Sequence, residues 1–181
     1  MASPTKLSHI VLQTNRRDEM RDWYCTVLGA EVLHENAFIS FVSYDDEHHR
    51  VAFIDPGPLA DRQPGEGKDP RAGREAGLHH MAFTYAGLDD LIGSYLRLKD
   101  CGIRPHRCVN HGITTSMYYR DPDNNEVELL VDNFASAAEG QAYMRRRSAS
   151  DKNPVGVVYD PEELVRRVRA GLRVEELVAI N

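Results

Sequence analysis

The chain has 181 residues, and a hydrophobic content of 41% is enough for one compact domain or two small halves that share a core. With 22 basic and 28 acidic residues, the net charge of −6 argues against nucleic acid or an anionic membrane as a partner. No apolar run approaches a membrane span, and the first residues lack a secretory signal. The three cysteines show no CxxC spacing, which argues against a disulfide framework. We therefore expect a cytoplasmic protein.

The first part of the chain predicts a strand, a helix and three further strands. Leu7–Gln13 has the pattern of a strand, and Asp18–Leu28 has apolar residues near helical spacing, with Gly29 as the stop. Three short strands are predicted next, at Glu31–His34, Ala37–Tyr44 and His49–Ile54. Residues 55–77 are rich in Gly, Pro and charge, which is typical of a linker or mobile loop.

The same order then begins again. Leu78–Tyr85 predicts a strand and Leu88–Lys99 a helix that ends at Gly102. Three strands follow, at Arg104–Val109, Thr114–Arg120 and Glu126–Val131. The repeated order indicates two βαβββ modules, although their sequences differ.

These elements divide the chain into a duplicated domain and an extension. Modules 5–57 and 77–132, joined by linker 58–76, form a domain of residues 1–132. Residues 133–181 lie outside the repeat. Within them Pro161–Ala179 predicts a helix capped by Asp160, whose apolar stripe packs on its own domain or on a second subunit.

Two histidines occupy equivalent places in the repeat, His9 and His80, each on the first strand of its module. His79 adjoins His80, and because neighbouring strand residues point to opposite faces, only one of the two can reach a common site. Alignment with His9 favours His80. Two imidazoles and a carboxylate can hold a divalent transition metal and leave coordination positions open. The carboxylate comes from Glu126 or Glu128, which share a face of the last strand.

A duplicated βαβββ unit with these histidines resembles the vicinal oxygen chelate superfamily, which includes glyoxalase I, fosfomycin-resistance transferases, bleomycin-binding proteins and type I extradiol dioxygenases. The resemblance covers residues 6–132 and is most specific at Tyr119–Leu129, similar to the family's DPDGN turn and the strand after it. Asn124 replaces the usual Gly there, and Asn tolerates left-handed backbone. The resemblance selects Glu128 as the carboxylate ligand, and Glu126, beside the turn, is expected to be solvated. It implies an α+β fold with a cupped mixed sheet around the metal.

Among these enzymes the chain most resembles a one-domain type I extradiol dioxygenase. Glyoxalase-type sites take a ligand from the last strand of the first module, but the position matching Glu128 there is Ala52. Three protein ligands remain, His9, His80 and Glu128. An octahedral ion would then keep three positions, enough for a bidentate substrate and dioxygen.

The resemblance also implies roles for three further residues. His49, in the segment His-His-x-x-Ala that ends at Ala52, matches the acid–base histidine. Tyr118 rather than Tyr119 has the family's ten-residue spacing to Glu128 and would hydrogen-bond the bound catechol. His111 resembles another histidine of the pocket.

The implied activity is ring cleavage of a catechol by O2 in aromatic hydrocarbon catabolism, with Fe(II), or alternatively Mn(II), as cofactor. Two alternatives use the same fold: a metal-dependent isomerase or thiol transferase that consumes no oxygen, and a protein that binds an antibiotic or other small molecule. The family also implies a homodimer or higher homo-oligomer, with modules paired within one chain or shared between subunits.

Overall fold

The computed structural model describes residues 2–60, 77–146 and 155–177, so most of the predicted linker lies outside the described residues. The chain forms two compact units. The first holds the described residues up to Gly77 together with Asp121–Asn125, and the second holds Leu78–Arg120 and the described residues from Glu126 onward. Within the described ranges, no helix has both the length and the apolar character needed to cross a membrane.

The first unit contains the predicted strand–helix–strand–strand–strand order. Its elements are β1 (Ile10–Gln13), α1 (Arg17–Leu28), β2 (Glu31–Glu35), β3 (Ile39–Ser43) and β4 (Val51–Ile54). The sheet has the order β1-β4-β3-β2, with β1 parallel to β4 and the other pairs antiparallel. The helix buries Met20, Tyr24 and Val27, which share one face, and it ends at Gly29 in left-handed backbone.

The second unit repeats this order and adds one strand from the extension. Its elements are β5 (His80–Thr84), α2 (Leu88–Asp100), β6 (Arg107–Asn110), β7 (Thr114–Arg120), β8 (Glu126–Asp132) and, after them, β9 (Val157–Val158). The sheet has the order β5-β8-β7-β6-β9, with β5 parallel to β8. The predicted α+β fold with two sheet modules is therefore confirmed.

Strand register shows that the modules are equivalent at the predicted ligand positions. In the first sheet Val11 lies opposite Ala52, and in the second Ala82 lies opposite Glu128. His9 and His80 each precede these strand residues by two positions. Ala52 therefore occupies the place that Glu128 has in the other module, as the sequence predicted.

The extension contains more structure than the sequence indicated. It adds α3 (Ala137–Arg146) and β9, neither of which was predicted, before α4 (Pro161–Arg169) and a 3-10 turn at Val174–Leu177. The side chain of Asp160 caps α4 as expected, accepting from the amide of Glu162 at 2.9 Å. Over the described residues 170–177 the predicted helix was wrong, because Gly171 adopts a φ of +94° that breaks the helical backbone. Its predicted end at Ala179 lies outside the described residues.

The turn between β7 and β8 is organised by the buried carboxylate of Asp121, which is 3% exposed. One oxygen accepts from the amides of Asp123 and Asn125, and the other accepts from the Asn125 side chain and, at 3.0 Å, from the hydroxyl of Tyr24. Asn124 has a φ of +61°, the left-handed backbone anticipated for this position. The turn is thereby fixed to α1 within the first unit.

We expect Tyr24→Phe to lower the free energy of unfolding by about 1–2 kcal/mol, because it removes a hydrogen bond from a buried carboxylate. Urea denaturation measures the change. Tyr44→Phe is the control, since that tyrosine is 43% exposed and its loss of a hydroxyl should have a smaller effect. Equal losses in the two variants would show that the Tyr24–Asp121 bond does not stabilise the turn.

Candidate functional site

The centre of the second unit's site is a contact between His80 and Glu128. His80 begins β5 and Glu128 lies within β8, and the parallel pairing of these strands brings both side chains to one region of the sheet. The His80 Nε2 atom lies 2.9 Å from Oε2 of Glu128. Glu128 is only 4% exposed, so its carboxylate depends on protein partners rather than water.

The other oxygen of Glu128 accepts a hydrogen bond from Tyr118. This tyrosine lies opposite Glu128 in the antiparallel β7–β8 pair. The Tyr118 hydroxyl donates to Oε1 at 2.9 Å, and it also lies 2.7 Å from Nε2 of His111. Burial, and then the charge and hydrogen bond of Glu128, raise the pKa of Tyr118 well above its usual range. At neutral pH the phenol therefore keeps its hydrogen. The structure thus brings His80, Glu128, Tyr118 and His111 into one cluster, which we call the carboxylate cluster.

In the first unit, His9 lies beside His48 and His49, and we call these three the histidine cluster. The ring centroids of His9 and His49 are 4.2 Å apart, and one ligand nitrogen from each of the three residues lies within 4.8 Å of the others. Partial burial, followed by the charges of His9 and His48, lowers the pKa of His49. The His49 imidazole is therefore neutral at physiological pH and able to accept a proton.

The expectation that Glu126 is solvated was wrong. Glu126 is 7% exposed and interacts with His106 at 3.0 Å, His79 at 3.5 Å and Arg107 at 3.7 Å. Burial opposes ionisation, but the hydrogen bond from His106 and the charge of Arg107 outweigh it and hold the Glu126 pKa at about 2. His106 and Arg107 were missed because only the β6–β7–β8 pairing brings them to Glu126.

His79 also differs from expectation. The Nδ1 atoms of His79 and His80 lie 2.7 Å apart, so the rings do not diverge to opposite faces. The alternation rule fails here because His79 precedes the first residue of β5 and is not held by strand geometry. As a result His79, His80 and Glu126 also have ligand atoms within 4.8 Å of one another, a second arrangement that can hold a metal.

The donor chemistry of the carboxylate cluster fits a divalent transition metal. Ligands about 2.1 Å from an ion and at right angles lie about 3 Å apart, close to the 2.9 Å between His80 Nε2 and Glu128 Oε2. Glu126 is less suited, because His106 and Arg107 already engage one of its oxygens, Oε1. His80 and Glu128 are thus the better pair of protein ligands in the second unit.

The difference between Glu128 and Glu126 as metal ligands can be tested with two matched variants. Glu128→Gln should lose most bound Fe(II) after anaerobic reconstitution and desalting, because an amide is a poorer ligand than a carboxylate. Glu126→Gln should retain the metal. Elemental analysis of the two proteins measures the iron content. The opposite pattern, with iron lost only from Glu126→Gln, would favour the set His79, His80 and Glu126.

Comparisons with known proteins place this geometry in context. The family model described as the Glyoxalase/Bleomycin resistance protein/Dioxygenase superfamily matches residues 6–129. Biphenyl-2,3-diol 1,2-dioxygenase 2 of Rhodococcus globerulus is 44% identical over 178 residues, which cover 98% of this chain and 88% of that protein. Biphenyl-2,3-diol 1,2-dioxygenase 3 of the same organism is 44% identical over 177 residues, covering 98% and 89%.

Solved structures share the fold at lower identity. Lactoylglutathione lyase from Agrobacterium tumefaciens has a TM-score of 0.55 at 20% identity and covers 72% of this chain and 96% of its own. The fosfomycin resistance protein FosX from Listeria monocytogenes has a TM-score of 0.53 at 17% identity, covering 76% and 99%. At these identities the likeness establishes the fold and not the activity.

Proposed function

We propose that this chain, which belongs to the glyoxalase/bleomycin resistance protein/dioxygenase superfamily, is an extradiol dioxygenase that cleaves a catechol ring with O2. The observation that carries the proposal is 44% identity, over nearly the whole chain, to two biphenyl-2,3-diol 1,2-dioxygenases. Their names place hydroxyls at carbons 2 and 3 and cleavage between carbons 1 and 2, a bond beside the diol. A biphenyl-2,3-diol or a similar aryl catechol is therefore the proposed substrate.

The proposed metal ligands are His9, His80 and Glu128. The contact between His80 and Glu128 supports two of them, and the equivalent register of His9 in its own module supports the third. Imidazole and carboxylate donors suit Fe(II), with Mn(II) as the alternative. Bound Fe(II) would supply open coordination positions at which the diol oxygens and dioxygen are held and activated together.

His49 is proposed as the base that takes a proton from a catechol hydroxyl. Its lowered pKa supports this role, because a neutral imidazole at physiological pH has a lone pair to accept the proton. Its ring also lies 4.7 Å from that of Phe41, centroid to centroid, in an edge-on contact that helps to orient the imidazole.

Tyr118 is proposed to hydrogen-bond a substrate oxygen, with His111 beside it in the pocket. The raised pKa of Tyr118 supports this role, since the phenol stays neutral beside the diol while the substrate gives up a proton. Arg107 lies over the Tyr118 ring, with its guanidinium carbon 4.1 Å from the centroid, and restrains the ring from that side.

Ala52 supports a dioxygenase rather than a glyoxalase-type isomerase. It occupies the place in the first module that Glu128 has in the second, and its methyl side chain offers no ligand atom. The ion would then keep more positions for exogenous ligands, which a reaction joining a bidentate diol and dioxygen requires.

We also propose that modules 5–57 and 77–132 act together as the catalytic domain of a cytoplasmic homodimer or higher homo-oligomer. Two observations support this. Cys25, Cys101 and Cys108 are all free thiols, as in a reducing compartment. The edge strand β2 is exposed along its length and presents two aliphatic side chains, Val32 and Leu33. An exposed edge of this kind can pair with a second subunit.

The direct test of the activity is oxygen consumption. The full chain, reconstituted with Fe(II) without air, should consume about one O2 per biphenyl-2,3-diol and form a yellow ring-opened product. An oxygen electrode and visible absorption follow the reaction. Biphenyl-2-ol, which lacks the second hydroxyl and cannot chelate, is the matched control and should cause no uptake. The proposed activity would be refuted if neither biphenyl-2,3-diol nor any member of a broad catechol panel caused oxygen uptake.

The role of His49 is tested by replacing it with an aromatic residue that cannot accept a proton. His49→Phe should keep its iron but lose turnover by about 100-fold or more, the usual contribution of a general base. His48→Phe, at the neighbouring exposed position, should retain most activity. Unchanged turnover in His49→Phe with normal iron content would remove His49 from the reaction.

A further inference from the structure

The C-terminal extension contacts the pocket histidine through its backbone. Strand β9 pairs antiparallel with β6, with Val157 opposite Asn110. The chain just before β9 therefore runs alongside His111, which directly follows β6. This places Val155 and Gly156 next to a residue of the carboxylate cluster.

The contact involves a specific nitrogen of His111. The carbonyl oxygen of Val155 lies 2.5 Å from Nδ1 of the imidazole. A carbonyl oxygen only accepts hydrogen bonds, so Nδ1 must carry the hydrogen. The backbone of the extension thus selects one tautomer of the ring.

Gly156 allows this close approach. A Cβ atom at this position would lie 2.3 Å from the carbonyl oxygen of Asn110 and 2.9 Å from Cα of His111, and the residue has a φ of +108°. Any side chain would therefore push the Val155–Gly156 backbone away from His111. Glycine is required here for both space and conformation.

The fixed tautomer determines what the other nitrogen can do. Nε2 lies 2.7 Å from the hydroxyl of Tyr118, which also lies 2.9 Å from Oε1 of Glu128. With the hydrogen on Nδ1, the neutral ring presents a lone pair at Nε2. The single phenolic hydrogen then has two acceptors, the carboxylate of Glu128 and the imidazole of His111.

We propose that the Val155 carbonyl, brought close by Gly156, is a positioning group that holds His111 with Nε2 toward Tyr118, where it can accept a hydrogen bond from the Tyr118 hydroxyl. This inference rests on the proposed function, in which Tyr118 hydrogen-bonds the substrate. When the Tyr118 hydroxyl donates a hydrogen bond to Nε2 of His111, the phenol stays protonated and its oxygen can accept a hydrogen bond from a substrate hydroxyl. The extension therefore acts on the reaction through His111.

Other contacts hold the extension in place for this role. The buried side chain of Asn110 donates to the carbonyl of Leu177 at 2.8 Å, and the hydroxyl of Tyr159 donates to the carbonyl of Ser116 at 3.1 Å. These bonds connect both ends of residues 159–177 to β6 and β7. The Val155 carbonyl is joined to this anchored segment through β9, which pairs with β6.

The test uses two glycines of the extension in the iron-reconstituted full chain. Gly156→Ala should lower kcat about 10- to 100-fold, the usual range for loss of a group that orients a functional histidine. Gly171→Ala is the matched control, because Gly171 also has a positive φ, +94°, but a Cβ there meets nothing within 4 Å. Equal kcat values for the two variants would overturn the proposal, whereas an inactive wild-type chain would refute the proposed function instead.

A double-mutant cycle separates positioning from general destabilisation. On a His111→Gln background, Gly156→Ala should change kcat less than twofold, since its effect acts through the imidazole. If Gly156→Ala lowered kcat on the His111→Gln background by the same factor as in the wild-type chain, the proposal would be overturned.

Nitrogen NMR of the iron-free wild-type chain tests the tautomer even if Gly156→Ala does not fold. The His111 signals, assigned by their loss in His111→Gln, should show the hydrogen on Nδ1 in the neutral ring. A hydrogen on Nε2 would overturn the proposal independently of enzyme activity.

Discussion

The burial of the Glu128 carboxylate is the constraint on which the second unit's site depends. A carboxylate that is 4% exposed is costly unless both of its oxygens have partners. His80 satisfies one and Tyr118 the other, and each comes from a strand paired directly with β8. The sheet therefore determines the chemistry, because its register decides which side chains can meet the carboxylate.

Register also explains why much of this site was predictable from the sequence. His80, Glu128 and Tyr118 lie on short strands with clear boundaries, and their pairing follows from the repeated βαβββ order. The correspondence between Ala52 and Glu128 is likewise a property of the parallel pairs β1–β4 and β5–β8. Periodicity places these residues on paired strands, whereas the choice of Glu128 over Glu126 and of Tyr118 over Tyr119 came from the resemblance to the family.

Contacts that depend on irregular backbone, or that reach across more than one strand pair, were not predictable. His79 lies before its strand begins, so alternation gave the wrong direction for its ring. Glu126 was expected in water, but β6 brings His106 and Arg107 against it. The contact from Val155 to His111 is made by a backbone carbonyl next to a glycine, and apolar patterns carry no information about such a contact.

We propose that His9, His80 and Glu128 hold one metal ion, Fe(II), with Tyr118 hydrogen-bonded to the Glu128 carboxylate. The most direct measurement is a crystal structure of the full chain loaded with Fe(II) without air, with the metal located by anomalous scattering. We expect one iron bound to an imidazole of His9, an imidazole of His80 and an oxygen of Glu128. Iron bound instead by Glu126 and His79, or a Glu128 side chain turned away from the metal, would contradict it.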